Sequence, residues 1–174
     1  MITFSCTGKV LKRLKTYKVI ENTKDEINFH NWYVDQINLG RKNYFLFTHS
    51  TSLFSFFVYA GTKKELVDIE SIFKEKAIEV ATNDLGLPKE YILDLFPGGE
   101  KYRFNKTNSR SVLGSMSDFK YQITAHIDHD GGFNKPSGVI AHYLNRCPMG
   151  ALKNDSPTKV LGEMLRRRFK EKNN

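Results

Sequence analysis

The sequence predicts an α+β fold in which a small antiparallel β-meander over residues 32–59 packs with about five helices. Strand-like runs rich in β-branched and aromatic residues are concentrated before residue 60, whereas later segments follow the spacing of amphipathic helices. The chain has 174 residues, of which 40% are hydrophobic, and this is enough for one core. We therefore expect a single domain over residues 1–174, with the helices on one face of the sheet.

The first predicted elements are a short apolar segment, Ile2–Cys6, and a basic amphipathic helix that Thr7 can cap. The three predicted strands follow at residues 32–39, 44–49 and 53–59. Because the connections between these strands are short, neighbouring strands must run antiparallel. The second and third strands are apolar on both faces, which favours buried core strands over a base-stacking surface. Residues 101–106 are a further candidate strand of this sheet.

Capping signals mark the helices. Thr62 and Glu65 form a capping box, and the apolar spacing that follows ends at Gly86. Ser156 and Pro157 are typical of an N-cap and a first helical residue. The predicted helices after the meander span residues 62–85, 88–95, 112–127 and 139–144, and the last one begins at 157.

The net charge of +8 is concentrated at the two ends of the chain. Residues 1–20 carry a charge of +5, residues 159–174 carry +4, and the stretch between them carries −1. If the two ends lie together in the fold, they form one basic face that attracts nucleic acid or an acidic protein. The alternative is that both ends are ordinary solvated helix faces.

Several classes of protein find no support in the sequence. Apolar runs are too short for a membrane span or a signal peptide, which predicts a cytoplasmic protein without a membrane partner. Cys6 and Cys147 are too few for a disulfide scaffold. Glycine-rich phosphate-binding motifs are absent, so we expect no nucleotide or other cofactor. The oligomeric state stays open.

A metal site has only partial support. His126 and Asp130 lie one turn apart on a predicted helix, with His129 one residue before Asp130, but two ligands do not make a site, since zinc needs three or four. No second cluster has convincing spacing, although His49, His142 and Asp118 could converge in the fold. We therefore predict no metal. The segment Asp130-Gly131-Gly132 is also the predicted end of this helix.

The strongest candidate site is the polar loop that connects the candidate strand at 101–106 to the next helix. A helix N-terminus favours anions, and Arg110 can hold a phosphate or carboxylate with two parallel hydrogen bonds. Gly114 removes a side chain from the first turn. The alternative is a plain helix cap, with Arg110 paired to Asp118. The candidate ligand-binding residues are Thr107, Ser109, Arg110, Ser111, Gly114, Asp118, Asn145 and Arg146.

A metal-independent ribonuclease is the second interpretation. Such a site needs only one or two histidines, a cation and a tyrosine that folding brings together. The catalytic candidates on this interpretation are Arg110, His126, His49 and Tyr121. The sequence does not decide whether the chain is an enzyme.

Short strings along nearly the whole chain carry a resemblance to a known family. They are Cys6-Thr7, Trp32-Tyr33, Leu46-Phe47-Thr48, Leu53-Phe54-Ser55-Phe56, Leu144-Asn145-Arg146 and, above all, Arg110-Ser111-Val112-Leu113-Gly114-Ser115-Met116 with Asp118. With these strings the chain resembles an uncharacterised prokaryotic family, Domain of Unknown Function 6933. The family pattern has Asn before the aspartate where this chain has Ser117, so no role of that amide transfers. The resemblance implies a small bacterial protein with no assigned reaction.

Three functional hypotheses follow. The leading one is an anion- or nucleic-acid-binding regulatory protein that uses basic terminal helices and the Arg110 loop. The second is a small metal-independent hydrolase or ribonuclease of a toxin or defence system. The third is a protein-interaction module with an acidic partner.

Overall fold

The computed structural model describes residues 1–21, 28–97, 101–129 and 137–173. These residues form a five-stranded sheet with the strand order β4-β3-β2-β1-β5. The strands are β1 (Ile2–Cys6), β2 (Asn31–Leu39), β3 (Lys42–His49), β4 (Ser55–Tyr59) and β5 (Tyr102–Lys106). The helices in the described residues are α1 (Gly8–Leu14), α2 (Lys63–Val67), α3 (Ile69–Leu85), α4 (Lys89–Leu93), α5 (Arg110–His129), α6 (Ser137–Arg146) and α7 (Pro157–Lys172), with a 3₁₀ turn at Gly150–Leu152.

The sheet is mixed, so the prediction of a purely antiparallel sheet is wrong. The meander itself is present, because β2 pairs antiparallel with β3 and β3 with β4. The apolar segment at the N-terminus is the strand β1, and it lies between β2 and β5 and parallel to both. All five residues of β1 are buried, as is typical of a central parallel strand. Residues 102–106 join the sheet through β1 and not through the meander.

Helices cover both faces of the sheet, which corrects the expectation of helices on one face. We call the side covered by α1, α3, α4 and α7 the α3 face, and the side covered by α5 the α5 face. The helix α6 lies along β4 and contributes to both cores. Phe45 and Phe47 of β3 point to the α3 face, whereas Leu46 between them points to the α5 face. Strands that are apolar on both faces need a helical layer on each side.

Phe73 of α3 lies at the centre of the larger core. Its ring centroid is 4.8 Å from that of Phe4, 5.1 Å from that of Trp32 and 5.0 Å from that of Phe47. Edge-to-face and tilted arrangements of this kind are favourable for aromatic rings. The helix α3 is therefore held against the middle of the sheet.

The capping signals at Thr62, Gly86 and Ser156 are confirmed, whereas Thr7 makes no side-chain cap of α1. Glu65 accepts a hydrogen bond from the backbone N–H of Thr62 at 2.8 Å, and α3 ends at Gly86 with φ of 58°. The side chain of Ser156 accepts from the backbone N–H of Lys159 at the start of α7. The described residues form seven helices and not about five, partly because the helix predicted from residue 62 is divided at Asp68, where ψ is 17°.

The predicted helix end at residues 130–132 lies outside the described residues. None of the described helices combines the length and the apolar character that crossing a lipid bilayer requires.

Candidate functional site

Two helices begin at the edge of the sheet where the parallel strands β1 and β5 end. The backbone N–H of Thr107 donates to the carbonyl of Cys6 at 3.2 Å, which holds the two strand ends together. Only Thr7 separates β1 from α1, and three residues separate β5 from α5. We call residues 7–12 and 106–111 the β1–β5 edge. Ligands of open α/β sheets commonly bind outside the carboxyl ends of parallel strands, and the β1–β5 edge is the analogous position in this fold.

A polar network fixes the β1–β5 edge. The Thr7 hydroxyl donates to Asp35 Oδ1 at 2.7 Å. It therefore makes no capping hydrogen bond at the N-terminus of α1. Lys120 Nζ of α5 lies 2.5 Å from Asp35 Oδ2 and neutralises this largely buried carboxylate. The Tyr33 hydroxyl donates to Asn108 Oδ1 at 3.0 Å. The starts of α1 and α5 are thus tied to β2.

The edge also presents unpaired positive charge. Lys9, Lys12, Lys106 and Arg110 are exposed and form no ion pair with any residue in the described part of the chain. Arg13 differs, because its guanidinium lies 5.1 Å from the Phe45 ring centroid and donates to the carbonyl of Ala60. Arg13 therefore packs inward, and the four exposed cations face solvent.

The predicted loop residues lie at this edge in different environments. Ser109 Oγ accepts from the backbone N–H of Val112 at 3.4 Å, which is a helix-cap contact. Thr107 is half-buried and Ser111 is exposed. A Cβ at Gly114 would meet nothing within 4 Å, so no packing inside the described chain requires glycine there.

The alternative pairing of Arg110 with Asp118 is not observed. Asp118 is exposed on α5, two turns after Arg110, and the two side chains form no ion pair with each other. Arg110 therefore keeps its hydrogen-bond donors for solvent or for a ligand.

Asn145 and Arg146 do not join the Arg110 loop. Asn145 is fully buried at the end of α6, where its Oδ1 accepts from the Ser55 backbone N–H at 2.7 Å and its Nδ2 donates to the Ser55 carbonyl at 2.9 Å. Its amide completes the backbone hydrogen bonding at the start of β4. Arg146 is exposed one residue further on.

The four catalytic candidates are not brought together. His49 is fully buried on the α3 face, with its Nε2 2.7 Å from the carbonyl of Phe29. Arg110 and His126 are both on α5 but about 24 Å apart along its axis, at 1.5 Å per residue. Tyr121 is 77% exposed. His126 is half-buried and stacks on the ring of Tyr143 in α6, at a centroid distance of 5.4 Å.

One pair of titratable residues was missed by the sequence analysis. His142 Nδ1 of α6 lies 2.6 Å from Asp84 Oδ1 of α3, although the two residues are 58 positions apart. No local motif connects residues at that separation. Within the described residues, no group of three or more metal-ligating side chains converges, and Asp130 of the metal hypothesis lies outside them.

The two basic ends lie in different surroundings. The helix α1 packs against β1 and β2, whereas α7 packs against α3, α4 and α6. Most cations of α7 have acidic partners: Lys159 with Asp155, Arg167 with Glu171, and both Arg168 and Lys172 with Asp94. Although burial opposes it, hydrogen bonds from Lys172 and Arg168 lower the pKa of Asp94 overall.

Comparison with known proteins places the chain in a family. The chain belongs to the family described as Domain of unknown function (DUF6933), whose model matches residues 3–160. No curated protein and no solved structure matches the chain. Since the family description names no reaction or ligand, function has to be argued from the geometry.

Proposed function

We propose that the chain is a cytoplasmic bacterial regulatory protein that binds nucleic acid through phosphate groups at the β1–β5 edge. The observation that carries the proposal is the set of four exposed cations at this edge, from two segments, none of which has an acidic partner among the described residues. The helix α7 provides the contrast, because most of its cations already form ion pairs with acidic side chains and are less available to phosphate.

The donors at the edge match the chemistry of a phosphate backbone. Arg110 supplies a planar fork for two parallel hydrogen bonds, and the lysines supply point charges. The first turn of α5 adds backbone N–H groups and the positive end of the helix dipole. Because Lys120 neutralises Asp35, this buried carboxylate does not oppose an approaching anion.

The binding mode predicts a definite salt dependence. Neutralising four phosphates gives a slope of log affinity against log salt of about −2.8 for a single strand and about −3.6 for B-form duplex. The contacts carry no base-specific information, so RNA and DNA of unrelated sequence are bound with similar affinity.

The test compares two variants that remove the same charge at different places. Lys9→Ala/Arg110→Ala removes two edge cations, and Arg166→Ala/Lys170→Ala removes two exposed cations of α7. Fluorescence anisotropy with a generic single-stranded RNA is measured from 25 to 200 mM salt (roughly the range in which phosphate contacts weaken). The edge variant should lower the slope by about 1.4, and the control variant should leave it unchanged.

Two results decide against the proposal. If the wild-type chain does not bind RNA or DNA at the lowest salt, there is no phosphate-binding face. If the α7 control loses as much affinity as the edge variant, binding follows overall charge and not this site. Equal affinity for polyglutamate and RNA of matched charge would favour an acidic protein as the partner instead.

A further inference from the structure

A second candidate site lies at the opposite end of the sheet, where α6 packs along β4. An open cleft of about 330 Å³ separates the C-terminal half of α3 from the first turns of α6. Asp84 and His142 line it, together with Val139 and Tyr143. A cleft of this size accommodates a small molecule rather than a polymer.

The carboxylate in this cleft is almost completely buried. The Asp84 side chain is 2% exposed, whereas the His142 side chain is 39% exposed. Asp84 Oδ1 lies 2.6 Å from His142 Nδ1, and Asp84 Oδ2 accepts from Asn145 Nδ2 at 3.1 Å. A buried carboxylate with both oxygens engaged holds the imidazole in one orientation.

This contact determines the tautomer of His142. A carboxylate can only accept, so Nδ1 must carry the proton. In the neutral ring, Nε2 is then the basic nitrogen, and it forms no hydrogen bond with any described residue. The arrangement is that of an orienting acid behind a general base.

Further side chains of α3, α5 and α6 surround the contact between Asp84 and His142. The Tyr143 ring lies 6.1 Å from the His142 ring and 5.4 Å from the His126 ring, on which it stacks. Glu79 of α3 is paired with Lys76 at 2.7 Å, so this pair adds no net charge. With neutral His142, Asp84 leaves the cleft with one negative charge, which disfavours polyanions such as nucleic acid.

We propose that His142 is a general base for the hydrolysis of small uncharged carboxylic esters, with Asp84 as its positioning residue. His142 Nε2 takes a proton from a water molecule whose oxygen bonds to the ester carbonyl carbon. The bond between that carbon and the alcohol oxygen then breaks, and the proton on Nε2 passes to the leaving oxygen. Ester and water are consumed, acid and alcohol are formed, and His142 returns to its starting state.

The cleft supplies one further feature of such a reaction. Val139 and Tyr143 offer an apolar wall for the acyl or alcohol group.

The activity test uses 4-nitrophenyl acetate and 4-nitrophenyl butyrate, with bis(4-nitrophenyl) phosphate as a charged comparison. Wild-type chain should hydrolyse the two carboxylic esters. His142→Gln should lower the rate about 100-fold or more. His30→Gln, which removes a histidine from another part of the chain, should not. Equal rates for wild type and His142→Gln on both esters overturn the proposal.

A second measurement does not depend on the choice of substrate. Nitrogen-15 NMR of the histidine rings should show the Nδ1–H tautomer for His142 in the wild type and its loss in Asp84→Asn, with the fold checked by circular dichroism. A wild-type Nε2–H tautomer overturns the proposal. Because this cleft and the β1–β5 edge lie at opposite ends of the sheet, failure here leaves the nucleic-acid proposal to its own test.

Discussion

The pH dependence of stability should be dominated by one buried histidine, His49. Its Nε2 lies 2.7 Å from the carbonyl of Phe29, while its Nδ1 lies 3.2 Å from the Ser52 backbone nitrogen and 2.9 Å from the Ser52 hydroxyl. A backbone carbonyl only accepts and a backbone N–H only donates. Therefore Nε2 must donate and Nδ1 must accept, and this requires the neutral ring.

Protonation of His49 conflicts with this environment. A second proton on Nδ1 would point at the Ser52 N–H, and the ring is fully buried beside Trp32. Burial lowers the pKa of His49 from 6.5 to about 4, a decrease that the hydrogen bond to Phe29 only partly offsets.

Thermodynamic linkage gives the sign and size of the contribution of His49 to the free energy of unfolding. Because the folded-state pKa of His49 is lowered, its contribution is fully present above pH 6.5 and is lost as the pH falls towards 4. At about 1.36 kcal/mol per pKa unit, the loss approaches about 3.4 kcal/mol below pH 4 and is about 2 kcal/mol at pH 5. A domain with a total stability of about 5–15 kcal/mol registers such a change clearly.

The assay is urea unfolding of wild type and His49→Gln at several pH values from 8 to 5. Glutamine can still donate to the Phe29 carbonyl, but it does not titrate and leaves the Ser52 N–H without its acceptor. We expect the variant to be less stable by about 1–3 kcal/mol at pH 8. This difference should shrink by about 2 kcal/mol at pH 5, while contributions from the other histidines largely cancel in the comparison.

A constant difference between the two proteins from pH 8 to pH 5 would refute the reasoning. It would mean that His49 binds its proton equally well in the folded and unfolded chain. The buried neutral ring would then be the wrong description of this residue.

Three further predictions concern stability in urea. Asn145→Ala should cost about 2–3 kcal/mol because buried backbone groups lose their partners, and the neighbouring control Arg146→Ala should change stability by less than about 0.5 kcal/mol. Phe73→Ala should cost about 3–5 kcal/mol because it empties the centre of the core, whereas the exposed Tyr121→Ala should again be nearly neutral; equal costs would contradict the packing described. Since the pKa of Asp94 is lowered, its contribution is present above about pH 4 and lost in more acidic solution, so Asp94→Asn should flatten that part of the acid-unfolding profile.

The features that the sequence predicted well depend on neighbours along the chain. The capping box at Thr62 and Glu65, the stop at Gly86 and the N-cap at Ser156 involve residues within a few positions of one another. Short connections also determine the pairing of the meander. In each case the physical cause is local, so local spacing is sufficient to identify it.

The pairing of β1 could not be predicted from local spacing. Thr3 pairs with Asn31 across a connection that contains α1, and the pattern of the five residues of β1 reveals neither that crossover nor its direction. The apolar faces of β3 predict its two-sided burial, but the expectation of helices on one face does not account for the second helical layer that this burial requires. Parallel pairing and layer number depend on tertiary packing.

The candidate sites also combine features that local sequence predicts with features that depend on tertiary packing. The position of Arg110 at a helix start follows from adjacent segments, and the structure places it there. The approach of α1 to the same edge depends on the pairing of β1 with β5, and the contact of Asp84 with His142 spans 58 positions. The sequence predicts Asn145 at a ligand site, but its fully buried amide forms hydrogen bonds with the backbone of Ser55 in β4.

Total charge does not distinguish the two ends of the chain, but the distribution of paired and unpaired cations does. Both ends of the chain are basic, yet α7 lies beside Asp94, which engages two of its cations, whereas the outward residues Lys9 and Lys12 of α1 have no acidic neighbour among the described residues. Lys9 and Lys12 are three positions apart, so they project from the same side of α1. A basic helix can serve a phosphate ligand only with the charge that its own packing leaves unpaired. On that criterion we propose the β1–β5 edge, where Lys9, Lys12, Lys106 and Arg110 are all unpaired among the described residues, over α7, where only Arg166 and Lys170 are.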